Sequence, residues 1–255
     1  MITPTFFYVT QLAKTMIDCI SVENMRQSDA YTISNLVPGL ELMYRAAYGV
    51  FKAVNWHGRT AIVAGSGNNG GDGFALACIL KENSFDCTVF TVSQRLSADS
   101  AYYAEKAASA GVSIRPFEPG CLEGFHIAVD CLLGTGFQGQ LREDYRTAIE
   151  AINASSSYVV SVDINSGMNG DTGNAELAVH SDLTVTIGYV KRGLIFENAG
   201  NYMKRLVCAD IGIVLAKQEW KICSDGETQG EDCFRCPAWL DMNPIQTVES
   251  GEGRV

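Results

Sequence analysis

The stretch TAIVAGSGNNGGDGFALACILKE, residues 60–82, decides the fold. Its apolar run Thr60–Ala64 predicts a buried strand, and Phe74–Glu82 predicts a helix. The glycines of the turn between them match the pattern GxGxxG: Gly65, Gly67 and Gly70. In a strand-turn-helix context this pattern is typical of phosphate binding, because glycine lets a ligand approach the backbone and a helix N-terminus favours negative charge. We therefore expect a nucleotide-like ligand over this turn.

Strands and helices alternate on both sides of this stretch. Upstream, two helices are predicted: Ser21–Asn35 and Gly39–Trp56. Further strands are predicted at Cys87–Val92, Ile127–Leu133, Tyr158–Val162, Leu183–Ile187 and Leu206–Ile211. Helices are predicted between them at Ala98–Ala110 and Arg142–Asn153. Such alternation predicts an α/β fold, a Rossmann-like three-layer α/β/α sandwich with a mainly parallel central sheet.

Three polar turns follow predicted strands, at residues 65–73, 130–136 and 163–167. Ligands of open α/β sheets bind outside the carboxyl ends of the strands. The three turns should therefore meet at one site. Asp163 at such a strand end suits acid/base chemistry, although a turn-forming aspartate is an equally good interpretation of that segment alone. Lys191 could pair with a ligand phosphate or with Asp163, although in isolation it would be interpreted as a solvated lysine.

The composition bounds the function. The 255 residues carry a net charge of -10, which opposes nonspecific binding to nucleic acids and anionic membranes. No apolar run reaches the length of a transmembrane helix and no signal peptide is visible, so a cytoplasmic protein is expected. The nine cysteines are scattered and odd in number, which favours reduced thiols over a disulfide framework, with metal binding at the CxxC of Cys233 and Cys236 a minor alternative.

The expected organisation is an N-terminal extension over residues 1–20, one domain over 21–216 and a poorly ordered polar tail over 217–255. Other nucleotide enzymes fit less well. A conventional NAD site needs an acidic residue after the second strand, and residues 91–95 contain none. The sequence also lacks a GxSxG turn and a GxxxxGK[ST] loop.

Taken together, the segments resemble the YjeF N-terminal domain family, the NAD(P)H-hydrate epimerases. The similar segments are NMRQSDAYTI (24–33), LELMYRAA (40–47), GSGNNGGDGFALA (65–77), VDCLLGTGF (129–137), VVSVDINSG (159–167), DTG (171–173), SDLTVTIGYVKRGL (181–194) and ADIG (209–212). The resemblance implies epimerisation of the R and S forms of hydrated NADH and NADPH, which carry a hydroxyl group on the ring carbon beside the nicotinamide nitrogen. It also implies functional coupling to an NAD(P)HX dehydratase, and a homodimer.

The resemblance further assigns roles to residues of this chain. It implies that one K⁺ per subunit is bound by Asn69, Asp130 and Ser166. The implied substrate-binding residues are Asn68, Asn69, Gly70, Gly71, Asp72, Gly134, Thr135, Gly136, Phe137, Gln138, Gly139, Gln140 and Asp163. We add the hypothesis that Asp163 is catalytic and moves the proton needed to expel and return the hydroxyl group, and that Lys191 tunes its charge or holds the ligand.

The sequence departs from the family at Asn165, where proline is usual. This replacement is expected to loosen the turn that carries Asp163 and Ser166. Many bacterial relatives continue into a dehydratase domain, and the sequence is compatible with a stand-alone epimerase and with a fragment. The alternative interpretation is a non-catalytic nucleotide-binding or scaffold domain of the same fold. A third, an ordinary nicotinamide-dependent oxidoreductase, is disfavoured by the missing ribose-binding acid.

Overall fold

A computed structural model describes residues 16–93, 95–224 and 232–248. In this part of the chain an eight-stranded sheet has the order β12-β9-β7-β6-β5-β2-β3-β4, with every neighbouring pair parallel. Its strands are β2 (Arg59–Ala64), β3 (Asp86–Thr91), β4 (Ser113–Pro116), β5 (Ile127–Cys131), β6 (Tyr158–Val162), β7 (Leu183–Ile187), β9 (Leu206–Asp210) and β12 (Ile245–Gln246). The predicted parallel sheet is confirmed.

A smaller, four-stranded sheet of order β11-β10-β1-β8 lies beside it. Its strands are β1 (Met16–Ile20), β8 (Val190–Lys191), β10 (Trp220–Cys223) and β11 (Cys233–Arg235). The helices are α1 (Val22–Asn35), α2 (Gly39–Ala53), α3 (Asn68–Glu82), α4 (Ala98–Ser109) and α5 (Glu143–Ala154), and two short 3₁₀ helices span Arg192–Ile195 and Glu197–Asn201.

Alternate residues of the large sheet pack on opposite layers, as the pleat of a strand requires. Ile62 of β2 faces the layer formed by α2, α3 and α4, represented by Leu76 and Val50. Its neighbour Val63 faces the other side, where Ile149 of α5 packs. The small sheet covers β9 on that same side, so both faces of the large sheet are covered and the three-layer sandwich is confirmed.

The chain changes direction within the large sheet between β2 and β5. From β2 it proceeds through β3 to β4 at one edge, and from β5 it proceeds through β6, β7 and β9 towards the other. The carboxyl ends of β2 and β5 are therefore adjacent and leave a crevice above them, which is the usual ligand site of such sheets. All three polar turns of the sequence follow strands of this central region.

The glycine-rich segment differs from the prediction in one respect. Helix α3 begins at Asn68 rather than at Phe74, so the residues NNGGDG form its first turns. Gly67 is the residue that precedes the helix and has extended backbone. The helix starts early because its glycines allow close packing. An added Cβ atom at Gly70 would overlap the carbonyl oxygen of Gly65, and one at Gly73 would lie 2.9 Å from Cys131 Cβ.

Both ends of the described chain contain more structure than expected. Residues 16–20, predicted as part of an extension, form β1 and pair with β8 and β10. Residues 217–224 and 232–248, predicted as part of a poorly ordered tail, contain β10, β11 and β12. The reason is apolar burial, since Ile222 and Leu240 pack in the cluster between the two sheets. Residues 1–15, 225–231 and 249–255 lie outside the described residues, and the boundaries at 21 and 216 stay a prediction.

The expectation of reduced thiols is wrong for one pair of cysteines. Cys223 of β10 and Cys233 of β11 form a disulfide, which their pairing on neighbouring strands permits. The other seven cysteines are free, and five of them are buried. No helix in the described ranges combines the length and apolar character needed to cross a membrane.

Candidate active site

The site is built where β2, β5 and β6 end. Gly134 follows β5 and lies against the two other turns. An added Cβ atom there would be 2.9 Å from Asp163 Oδ2 and 3.4 Å from Asn69 Cβ. Three segments that are far apart in the sequence therefore meet at one point, as the positions of the turns predicted.

Asn69, in the first turn of α3, is the most unusual polar residue of the site. Its side chain is buried, and neither Oδ1 nor Nδ2 has a hydrogen-bond partner within the described chain. A buried amide without partners costs roughly 1–3 kcal/mol for each unsatisfied group. Such a cost is tolerated where a ligand supplies the missing partners, so Asn69 points to a bound ion or molecule.

Asp130 and Ser166 form a buried polar pair beneath this point. Ser166 donates to Asp130 through its backbone N–H at 2.9 Å and through its hydroxyl group at 2.5 Å. The backbone N–H of Leu132 and the hydroxyl group of Ser161 are further donors to the same carboxylate. Burial raises the pKa of Asp130, and these hydrogen bonds act in the opposite direction. The pair ties the end of β5 to the turn after β6.

Asp163 has a strained backbone and a fixed carboxylate. Its φ is 70°, a left-handed conformation that non-glycine residues rarely adopt outside functional or turn positions. Oδ2 accepts from the backbone N–H of Thr135 at 3.1 Å, and Oδ1 accepts from Lys191 Nζ at 2.5 Å. The strain is offset by these contacts, which hold the carboxylate at the crevice.

Lys191 is buried, with 1% of its side chain exposed. Its ammonium group also donates to Thr186 Oγ1 at 3.1 Å and to the carbonyl oxygen of Ile187 at 2.6 Å, so its three donors are used. β8, which carries Lys191, pairs with β1 through the register Ile20↔Lys191. The lysine thus pairs with Asp163, one of the two possibilities that the sequence left open.

Two further carboxylates lie nearby, Asp72 on α3 and Asp29 on α1. Burial raises the pKa of Asp72 well above its usual value, Asp163 and Asp29 raise it further, and Lys191 opposes them. Burial also raises the pKa of Asp29 to about 6. Asp29 was not identified from the sequence, although its spacing from two apolar-facing positions of the same helix indicates which way it faces. It lies on the helix face of Met25 and Thr32, which are both buried.

These residues surround a cavity of about 720 Å³, a size suited to a small organic ligand. Of the predicted substrate-binding residues, the lining includes Asn68, Asn69, Asp72, Gly134, Thr135, Gly136, Phe137, Gln138 and Asp163, together with Lys191. Gly70 and Gly71 are buried in packing contacts instead. Gly139 lines a neighbouring polar cavity of about 450 Å³, and Gln140 is exposed.

Comparison with protein families shows which family the chain is similar to. Residues 39–193, which carry β2 through β8 and most of the cavity lining, match the family model described as "YjeF-related protein N-terminus". The chain belongs to this family. The match begins after α1, so the family model does not extend over Asp29.

Individual members of the YjeF family are similar over most of the chain. An NAD(P)H-hydrate epimerase of Limosilactobacillus fermentum is 34% identical over 206 residues, covering 75% of this chain and 95% of that protein. A bifunctional NAD(P)H-hydrate repair enzyme of Archaeoglobus fulgidus is 39% identical over 175 residues, covering 68% of this chain and 37% of the longer protein. The crystal structure of the yeast protein YNL200c shares the fold, with a TM-score of 0.64 at 19% identity over 85% of this chain and 98% of that one.

The departure from the YjeF family pattern at Asn165 does not loosen its turn. Asn165 is fully buried, and its Nδ2 is within hydrogen-bond distance of three acceptors, which are the carbonyl oxygens of Val179 and Tyr202 and the hydroxyl group of Ser181. Its Oδ1 accepts from Thr184 at 2.7 Å. These contacts restrain the turn through the side chain where proline would restrain it through the backbone, so the expected loosening is not observed.

Proposed function

We propose that this chain interconverts the R and S epimers of hydrated NADH and NADPH, as part of nicotinamide cofactor repair. The observation that carries the proposal is the cavity at the ends of β2, β5 and β6, where Asp163 and Lys191 form an ion pair beside the partly buried carboxyl group of Asp72. Relatives that match along most of their own length are NAD(P)H-hydrate epimerases by name, which supports the same reaction.

The chemistry requires one proton donor and one proton acceptor. Asp72, whose raised pKa favours the protonated form, gives its proton to the ring hydroxyl group. The carbon–oxygen bond breaks with its electron pair on oxygen, water leaves, and the lone pair of the ring nitrogen forms a double bond to the ring carbon. Water then adds to the other face of the planar cation and gives a proton to the Asp163 carboxylate. Solvent in the cavity returns the proton to Asp72, and the reverse reaction uses the same groups in opposite roles.

Asp163 is thus a proton acceptor in this scheme, and Lys191 is the group that holds it. The ion pair fixes the carboxylate, and the N–H of Thr135 fixes its second oxygen. The remaining site residues bind the substrate. Asn68 is oriented by the hydroxyl group of Ser97, which donates to its Oδ1 at 2.9 Å, and Gly67 leaves open space for close approach.

A single purified epimer tests this function. The R epimer of hydrated NADH is incubated with the protein, and the S epimer is followed by chromatography against a sample without protein. We expect the S epimer to appear faster than in the blank. The alternative, a non-catalytic binding domain, predicts that the rate equals the blank while the protein binds the cofactor.

We also propose that Asn69, Asp130 and Ser166 hold a K⁺ ion. The three residues fit such an ion because they offer amide, carboxylate and hydroxyl oxygens, and because Asn69 Oδ1 is buried with no hydrogen-bond partner among the described residues. A bound cation would fix the turns around the cavity and offset the negative charge of Asp130.

Thermal unfolding tests whether K⁺ binds at this site. Replacing choline chloride by KCl at equal ionic strength is expected to raise the Tm of the wild-type protein, because an ion that binds only the folded state stabilises that state. Each kcal/mol of stabilisation corresponds to about 2–4 °C at this chain length. Asn69→Ala should lose this K⁺-dependent increment. An equal increment in both proteins would contradict the proposed ligand set.

Two glycine variants test whether the ligand approaches the turn before α3. Gly67→Ala should leave the fold nearly unchanged, with a loss of at most about 1 kcal/mol at a residue that precedes a helix, because no atom lies within 4 Å of the added Cβ. Binding of NADH, a stable stand-in for the substrate, should weaken roughly tenfold, about 1.4 kcal/mol. Gly70→Ala is the contrasting variant, since its Cβ overlaps backbone and should impair folding. Unchanged NADH binding by Gly67→Ala in calorimetry would show that the ligand does not approach this turn.

The homodimer, the coupling to a separate dehydratase and the cytoplasmic location are likewise proposals. The relatives named as bifunctional repair enzymes support the coupling. Sedimentation of the purified protein measures the oligomeric state.

A further inference from the structure

Helix α1 contributes a carboxylate to the wall of the cavity. Asp29 lines the cavity together with Asp72 and Asp163. Neither Asp29 nor Asp72 forms a hydrogen bond or an ion pair with another residue in the ranges that the structure describes. Asp163, in contrast, has both a cation and a backbone donor.

An unpartnered carboxylate of this kind does not stabilise the fold. Burial raises the pKa of Asp29 from 3.8 to about 6, with Asp163 adding to the increase and Lys191 opposing it. The folded state therefore loses stability as the pH rises from about 4 towards 6, and above that range it carries the cost of the charged form. A carboxylate that costs stability and faces a cavity is a candidate for a role with the ligand rather than in packing.

A second observation indicates that a ligand occupies the same space. Asn69 also lines the cavity, and its buried amide has no partner among the described residues. The charged side chains that line the cavity are Arg26, Asp29, Asp72, Asp99, Asp163 and Lys191. Lys191 is used by Asp163. The other cation of the lining, Arg26, is exposed and lies 3.9 Å from Glu23, and it forms no ion pair with Asp29 or Asp72 among the described residues.

We propose that Asp29 acts as a positioning residue, whose negative charge keeps a proton on Asp72 for delivery to the hydroxyl group of the substrate. This proposal rests on the proposed function. Two neighbouring carboxylates cannot both ionise freely, so the negative charge of one holds the proton on the other. Asp72 transfers the proton when the carbon–oxygen bond breaks, and solvent restores it while Asp29 is charged.

The pH profile of kcat/KM for epimerisation tests the role. Activity of the wild-type protein is expected to fall at high pH, when Asp72 loses its proton. In Asp29→Asn this alkaline limb moves to lower pH, because the negative charge that holds the proton on Asp72 is gone. Activity at pH 8 is expected to fall by about tenfold or more.

Two variants accompany this measurement. Glu23→Gln removes an exposed carboxylate from the same helix and should leave the profile unchanged. Asp29→Glu keeps a negative charge and should leave the alkaline limb close to its wild-type position. Asp29→Asn should also keep or raise Tm at pH 7.5, which separates the effect from misfolding.

The outcomes distinguish a failure of the proposed function from a failure of the role proposed for Asp29. Absence of epimerase activity in the wild-type protein would refute the proposed function itself. An active wild type whose Asp29→Asn variant keeps the alkaline limb at the wild-type pH would overturn the role of Asp29 and leave the proposed function intact. A fall in Tm together with an unchanged profile would make Asp29 a structural residue.

Discussion

Asp163→Asn is expected to lower kcat for epimerisation by about 10²–10⁴-fold and to leave binding of NADH nearly unchanged. The substitution removes the carboxylate that accepts a proton from the incoming water and keeps the size of the side chain. Asparagine also tolerates the left-handed backbone at this position, where φ is 70°. The amide oxygen can still accept from Lys191, which keeps the geometry of the cavity. The buried ammonium group loses its counter-charge, so the free energy of unfolding should also fall.

Asp86→Asn is the matched control. Asp86 is exposed at the start of β3, at the opposite end of the strands from the cavity. Among the described residues, its carboxylate has one ion pair, a long contact of 3.6 Å with Arg59. The Asp86→Asn variant should equal the wild-type protein in epimerisation rate and in NADH binding. Near-normal turnover by Asp163→Asn would refute the assignment of Asp163, whereas loss of NADH binding together with turnover would move its role from proton transfer to substrate binding.

Lys191→Met is expected to lower the free energy of unfolding by about 3–5 kcal/mol, the largest stability effect that we predict. The substitution leaves the Asp163 carboxylate without its cation and leaves Thr186 and the carbonyl oxygen of Ile187 without their donor. The methylene groups of the lysine are replaced, so packing is largely kept. Urea unfolding, monitored by far-UV circular dichroism, measures the change.

A double variant separates the charge effect from packing. Asp163→Asn combined with Lys191→Met leaves no unpaired charge and should regain part of the lost stability without regaining turnover. Lys204→Met, which breaks the exposed ion pair with Asp182, should have little effect on stability. If Lys191→Met unfolded at the wild-type urea concentration, the ion pair would contribute nothing to holding Asp163.

The sequence predicted most of the large sheet because its strands are locally encoded. β6 and β7 have the predicted bounds, Tyr158–Val162 and Leu183–Ile187, since both are short apolar runs between polar turns. The start of α3 was placed six residues too late, because glycines read as a loop when local preference is considered alone. Here the packing of those glycines against β2 and β5 overrides their preference.

The small sheet was not predicted because its pairing is not local. β1 pairs with β10, more than 200 residues away for Cys19 and Trp220, and no short-range pattern encodes that contact. Each of its strands has five residues or fewer. Its importance for the site is nevertheless direct, because β1 pairs with the strand that carries Lys191.

The candidate site likewise contains residues that could be located from the sequence and residues that could not. Asp130 and Asp163 could be located from the sequence, because they end apolar strands whose carboxyl ends meet in a parallel sheet. The burial of Lys191 could not, since an isolated lysine after a strand is typically solvated. Asp29 lies on a polar helix of low amphipathicity, and only the packing of α1 over the strand ends shows that it faces the cavity.

The most direct test of the proposed function uses an S-specific dehydratase with a mixed-epimer sample of hydrated NADH. The dehydratase alone should stop after consuming the S epimer, and spontaneous epimerisation then sets a slow residual rate. With this protein and K⁺ added, we predict that consumption continues promptly to completion. If the residual rate is unchanged in the presence of folded protein that binds NADH, the chain is a binding domain that has kept the cavity and lost the reaction.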